Sequence, residues 1–185
     1  MLKCGLLGEH LKHSFSPEIH KRLASYEYSL FEVEKENLSA FLSARRFDGL
    51  NVTIPYKKAV LPYLDNISDV AKRIGSVNTV VKTDTGSLYG DNTDYYGFLE
   101  LLKYNDISVS GKKVLILGSG GASVSVLAAI EDMGGRCVVI SRSGENNYCN
   151  IEKHSDADVI VNTTPVGMYP ENGKTPLDLK IFKID

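Results

Sequence analysis

The chain has 185 residues, 43% of them apolar, and carries 21 basic against 23 acidic residues for a net charge of −2. That supports one medium domain or two small ones with a real core, and the charge balance excludes a basic nucleic-acid face. No stretch reaches the roughly 18 apolar residues of a membrane span and no signal-peptide pattern opens the chain, so no membrane partner and a cytoplasmic location are expected.

Residues 2–7 read as a short buried strand closed by Gly8, followed by a polar stretch containing His10, His13 and Ser14. Ser16-Pro17-Glu18 opens a helix. Ser16 suits the cap, Pro17 the first helical position, where no amide is needed, and Glu18 the dipole. Ser14 has no such local duty and, with His13 beside it, reads as one wall of a polar ligand site. Residues 29–33 form a second strand, Asn37 caps a helix carrying Leu38, Phe41 and Leu42, and Asp48-Gly49 turns into a third strand over 50–54. This is βαβ grammar.

Pro55 ends the third strand and opens a helix, placing Lys57 and Lys58 in its first turn. Cations there are disfavoured by a few tenths to about 1 kcal/mol. Breaking that local rule points to function at Lys57, whereas Lys58 reads as a solvated surface charge. Residues 69–74 form a short helix, and Gly75-Ser76 leads into a strand over 77–81 that contains Asn78, an amide in need of partners. A hairpin turn over 83–86 and the loop Gly90-Asp91-Asn92-Thr93-Asp94 precede a helix with Phe98, Leu99 and Leu102. Thr93 as cap and Asp94 in the first turn both have a structural reading beside a functional one. The domain boundary falls after this helix, giving domains 1–104 and 105–185.

In the second half, four apolar residues over 114–117 lead into Gly118, Ser119, Gly120, Gly121 and Ala122. A glycine turn between a buried strand and a helix is a phosphate cradle in outline, because the backbone approaches the pyrophosphate closely and the helix amides face it. Ser123 stands where the strict pattern has Gly or Ala. A strand over 137–141 ends at Arg142, the position from which an arginine meets a 2′-phosphate, favouring NADP over NAD; an ordinary surface arginine is the alternative. A strand over 158–161 precedes the polar loop 162–168, where open α/β sheets bind ligands, and residues 177–182 begin one more strand. Cys4, Cys137 and Cys149 lack metal-ligand spacing and are odd in number; no metal and no disulfide framework are expected, and Cys4 and Cys137 read as small buried hydrophobes. His20 and His154 read as solvated surface histidines.

Taken together, Gly8 with His13-Ser14-Phe15-Ser16-Pro17, Asn51-Val52-Thr53-Ile54-Pro55-Tyr56-Lys57, Val77-Asn78-Thr79, Gly90-Asp91-Asn92-Thr93-Asp94-Tyr95-Tyr96-Gly97-Phe98, Gly118-Ser119-Gly120-Gly121-Ala122-Ser123 and Asn162-Thr163-Thr164-Pro165-Val166-Gly167-Met168 resemble, in this order, the shikimate dehydrogenase family. The resemblance implies an α/β chain: an N-terminal α/β substrate domain followed by a Rossmann-type doubly wound dinucleotide-binding domain. It also implies reversible NADPH-dependent reduction of 3-dehydroshikimate to shikimate. By the same resemblance Lys57 and Asp94 form the catalytic pair, and Ser14, Ser16, Thr53, Asn78 and Asp94 bind substrate. Gly118, Ser119, Gly120, Gly121, Ala122, Arg142, Thr163 and Met168 meet the cofactor, NADP rather than NAD, in a monomer or homodimer. Three departures stand out. His10 replaces a common proline, Asn146 occupies the place of a second basic residue on the 2′-phosphate loop, and the family chains continue past Asp185 to a substrate-binding glutamine. On that reading the dinucleotide domain is incomplete at its C-terminus. Two other readings are a quinate/shikimate dehydrogenase of broader specificity and a catalytically impaired ligand-binding fragment.

Overall fold

The computed structural model describes residues 1–11 and 14–182, so that His13 of the first motif lies outside the described residues. The chain divides into two compact units, Met1–Thr93 and Asp94–Asp185.

The first unit contains β1 (Lys3–Gly8), α1 (Ser16–Leu23), β2 (Glu27–Glu32), α2 (Leu38–Ala44), β3 (Gly49–Val52), β4 (Asn66–Ile67), α3 (Asp69–Ile74), β5 (Thr79–Lys82) and β6 (Leu88–Asp91). They build a six-stranded sheet in the order β2-β1-β3-β5-β6-β4. β1 runs parallel to both β2 and β3, as the βαβ pattern requires, and β5 returns antiparallel to β3 and β6. Leu7, Leu42, Phe47, Leu50, Val52, Val77, Val80 and Leu88 form its core, each large side chain contributing roughly 1.5–3 kcal/mol by leaving water.

The second unit takes in α4 (Thr93–Tyr104) from Asp94 onward, then β7 (Lys113–Leu117), α5 (Gly121–Asp132), β8 (Arg136–Ile140) and β9 (Val159–Asn162). Its sheet is parallel throughout, in the order β8-β7-β9. β7 occupies the centre, which is why residues 114–117 are all apolar and all buried: a central parallel strand is covered on both faces.

Four local expectations are corrected. Ser16 is the first helical residue of α1 and makes no side-chain cap bond; its backbone N–H donates to Ser14 Oγ at 3.2 Å, so the structural duty falls to Ser14. Asn37 also caps nothing with its side chain, because a 3-10 turn over Lys35–Asn37 leads directly into α2. Residues 54–60 form turns rather than a helix. The carbonyl of Lys57 accepts the N–H of Val77 at 2.8 Å and is thereby removed from any local helical ladder, and the ring of Tyr56 is buried with its hydroxyl donating to the carbonyl of Val33. Lys57 therefore violates no helix-dipole rule. Residues 177–182 form a 3-10 turn over Leu179–Ile181 rather than a strand: Asp178 accepts the N–H of Lys180 at 3.0 Å and Phe182 packs beside Leu115 and Ile140.

The division between units falls at the start of α4, whereas the sequence places the domain boundary at its end. Leu102, with Phe98 packed against it, shares a core with Val109, Val114, Ile116 and Ile130, and this packing groups α4 with the second sheet.

Candidate active site

In the first unit the implicated side chains collect where β1 and β3 end. Thr53 follows β3, and its N–H donates to the carbonyl of Leu7 at 2.9 Å, which carries the parallel ladder one residue beyond the strand. A Cβ on Gly8 would lie 2.6 Å from Leu11 Cδ2 and 2.8 Å from Thr53 Cγ2. A side chain there would force Leu11 or Thr53 to shift, so glycine suits the close approach of β1 to Thr53. Asn78 joins the same edge, because its carbonyl accepts the N–H of Val52 at 2.7 Å.

Asn78 is buried, and its side-chain oxygen is heavily used. It accepts from the Thr93 N–H at 2.8 Å, the Thr93 hydroxyl at 3.1 Å and the Thr79 hydroxyl at 3.0 Å. The amide thus caps the start of α4 across a separation of fifteen residues. Behind it, Asn92 is fully buried and donates to the carbonyl of Ser76 at 2.9 Å. These amides fix the passage from β6 into α4.

A residue that the sequence did not single out lies beside Ser16. Tyr28 on β2 donates its hydroxyl to Asn51 Oδ1 on β3 at 2.7 Å, and its ring stacks on His20 with centroids 3.8 Å apart. Burial pushes the Tyr28 phenol up to about 12, a hydrogen bond with Ser16 acting in the opposite sense, so Tyr28 remains a donor at neutral pH. The only signal in the sequence was Asn51, a polar residue in a β-branched strand. His20, expected to be solvated, is half-buried by this stack.

Lys57 and Asp94 are both partly buried, and both make polar contacts. Lys57 sits on the turn anchored by Tyr56; Asp94 lies in the first turn of α4 beside the capped Thr93.

In the second unit, Gly118 has φ +108°, a conformation that glycine adopts without penalty. A Cβ there would also meet Thr163 Oγ1 at 2.9 Å. Thr163 itself is fixed by hydroxyl and amide bonds to the Leu117 carbonyl at 2.7 and 2.9 Å. Gly120 differs. Its φ of −83° is open to any residue, and a Cβ would meet no protein atom within 4 Å. Neither backbone nor packing requires a glycine there, so the space above it is free for a ligand, and α5 begins there with no side-chain cap. Those observations fit a dinucleotide pyrophosphate on this turn, with Ser119, Gly121 and Ala122 around it. Ser123 replaces the third glycine at little cost, because its hydroxyl donates to the Gly120 carbonyl at 2.6 Å.

Arg142 is exposed two residues beyond β8. The loop after it is braced by amides: Asn147 donates to the Gly144 carbonyl at 3.1 Å and Asn150 to the Glu145 carbonyl at 2.8 Å. Asn146 Oδ1 meets His154 Nε2 at 3.0 Å, so His154 is half-buried and partnered rather than solvated. After β9, Asn162 Oδ1 accepts the N–H and hydroxyl of Thr164 at 3.0 and 2.7 Å, shaping the loop that ends at the exposed Met168. Cys4 and Cys137 are partly buried, and burial raises both thiols, Cys137 to about 11.

Residues 6–80 match the family model described as the shikimate dehydrogenase substrate binding domain. A shikimate dehydrogenase (NADP(+)) of Clostridium beijerinckii is 41% identical over 198 aligned positions, which cover 96% of this chain and 73% of that relative. The chain belongs to the shikimate dehydrogenase family. Its fold agrees with solved members of that family. The crystal structure of shikimate dehydrogenase 1 from Peptoclostridium difficile superposes with a TM-score of 0.90 at 40% identity, covering 98% of this chain and 74% of that one. The shikimate 5-dehydrogenase of Thermus thermophilus in complex with NADP(H) and shikimate gives 0.86 at 34% identity, covering 98% and 75%. The architecture is thus that of a family member, an α/β substrate domain followed by a Rossmann-like domain, as the sequence implied.

Proposed function

We propose that the chain is an NADP-dependent shikimate dehydrogenase that interconverts 3-dehydroshikimate and shikimate. The observation that carries this reading is the likeness, over 98% of the chain, to a family structure holding both NADP(H) and shikimate. The unit Met1–Thr93 takes the substrate through Ser14, Ser16, Thr53 and Asn78; the unit from Asp94 onward takes the dinucleotide through the turn at 118–122, Arg142, Thr163 and Met168.

NADPH supplies the hydride that reduces the ring carbonyl carbon. The chain's own task is the proton on the carbonyl oxygen. Lys57 as the ammonium ion donates it, becoming the neutral amine, and in the reverse direction the amine removes it from the hydroxyl. Asp94 orients Lys57 and the reacting hydroxyl. Ser14, Ser16 and Thr53 hold the substrate's carboxylate and hydroxyls, and Asn78 also lies on the substrate. Arg142 meets the 2′-phosphate as a cation. The protein works in the cytoplasm, where its three thiols stay reduced, as a monomer or homodimer that light scattering would distinguish.

The test is NADPH oxidation on addition of 3-dehydroshikimate, repeated with NADH and with quinate in the reverse direction. Selective turnover with NADPH and shikimate-type substrate is expected. Stoichiometric binding of shikimate and NADPH without turnover would show a ligand-binding fragment instead.

A further inference from the structure

α5 begins at the glycine turn and runs for 12 residues, about 18 Å, to Asp132. At that far end Asp132 Oδ2 accepts the hydroxyl of Tyr95 at 2.6 Å. Tyr95 is 8% exposed. Its ring lies edge-on to Tyr96, with centroids 5.1 Å apart and planes at 87°. Tyr95 immediately follows Asp94, while Thr93, immediately before Asp94, has its N–H tied to Asn78. Asp94 therefore stands between two directionally fixed neighbours.

Two features show that this phenol–carboxylate bond does more than fill space. Packing alone would be satisfied by Phe at position 95, without a buried hydroxyl in need of a partner. Asp132 is also an acid in the last turn of a helix, next to Glu131, where the dipole disfavours negative charge. A carboxylate in the wrong place for its helix is in the right place for the phenol at the head of α4, and a charge-assisted bond of this length fixes direction tightly.

We propose that Tyr95 is a positioning residue for the reaction. Its bond to Asp132 locks the first turn of α4, and with it the Asp94 carboxylate, to the helix whose other end carries the dinucleotide turn. The group that orients the proton donor is thereby held in register with the place from which the hydride arrives. This rests on the roles given above to Asp94 and to the glycine turn.

The test compares Tyr95→Phe, Asp132→Ala, Asp132→Asn and the double variant Tyr95→Phe/Asp132→Ala. Misplacing a catalytic group costs rate more than binding. Tyr95→Phe is expected to lower kcat roughly tenfold while both KM values stay within about twofold. Asp132→Ala should match it, the double variant should be no worse than either, and Asp132→Asn, which keeps an acceptor oxygen, should recover most of the loss. Amide hydrogen exchange in the first turn of α4 should rise in Tyr95→Phe and leave β7 unchanged. A kcat within twofold of wild type, additive losses, or a loss explained by a smaller folded fraction would overturn the proposal. Absence of turnover in the wild-type chain would refute the functional reading. Even then, unchanged exchange in Tyr95→Phe would overturn this one and raised exchange would uphold its structural half.

Discussion

The side-chain oxygen of Asn78 accepts the backbone N–H of Thr93 at 2.8 Å, so the amide proposed to bind substrate also caps the helix bearing Asp94. Removing the side chain in Asn78→Ala should therefore destabilise the chain by about 1 kcal/mol, the usual cost of a lost helix cap, and raise KM for shikimate. Asn78→Asp keeps the acceptor oxygen and should recover the stability but not the affinity. Thermal unfolding and steady-state kinetics on the two variants separate the roles.

Lys57 contributes its backbone to the fold, through the bond from Val77 at 2.8 Å, and its side chain is the proposed acid/base group. Lys57→Ala should keep the fold by circular dichroism and lose roughly 10² or more in kcat. A kcat within a few-fold of wild type would refute general acid/base catalysis by this residue.

Gly8 and Gly118 should fail in different ways. Gly8→Ala forces a methyl to within 2.8 Å of Thr53 Cγ2; it should cost about 1–3 kcal/mol through overpacking and raise KM for shikimate alone. Gly118→Ala places a side chain at φ +108° against Thr163 and should weaken NADPH binding alone. Fluorescence titration with NADPH checks the second, and KM for each substrate the first.

Ser76 is fully buried, and among the described residues its hydroxyl is the buried side-chain atom with no hydrogen-bond partner. Ser76→Ala should stabilise the chain by about 1 kcal/mol, because a desolvated hydroxyl is removed and no bond is lost. Denaturant unfolding with an unchanged slope and a higher midpoint is the expected result.

His154 gives stability a pH dependence. Burial, the largest cause, and nearby Lys113 hold its pKa below the ordinary 6.5, against a smaller opposing effect of Asp156. Below pH 6.5 the unfolded chain binds a proton that the folded chain resists, so this contribution is fully present above 6.5 and is lost as pH falls toward the folded value. Relative to His154→Gln, wild type should lose stability as pH falls below 6.5. A pH-independent difference in unfolding midpoints would exclude it.

Periodicity and composition alone settled the βαβ start, the buried central strand over 114–117 and the glycine turn after it, because each is dictated by neighbours in the chain: alternation, continuous apolarity, a backbone angle that needs glycine. The order of the motifs further identified the family. What the sequence could not determine was how polar groups pair over distance. Ser16 has the composition of a cap, yet its N–H goes to Ser14; Pro55 looks like a helix start, yet the carbonyl of Lys57 is claimed by Val77, twenty residues on. Thr93 looks self-capping, yet Asn78 reaches it from fifteen residues back, just before β5, and Tyr95 finds its acceptor in Asp132, 37 residues away. A buried donor or acceptor takes whichever partner the packed chain brings within 3 Å or so. Only the tertiary structure decides which one that is.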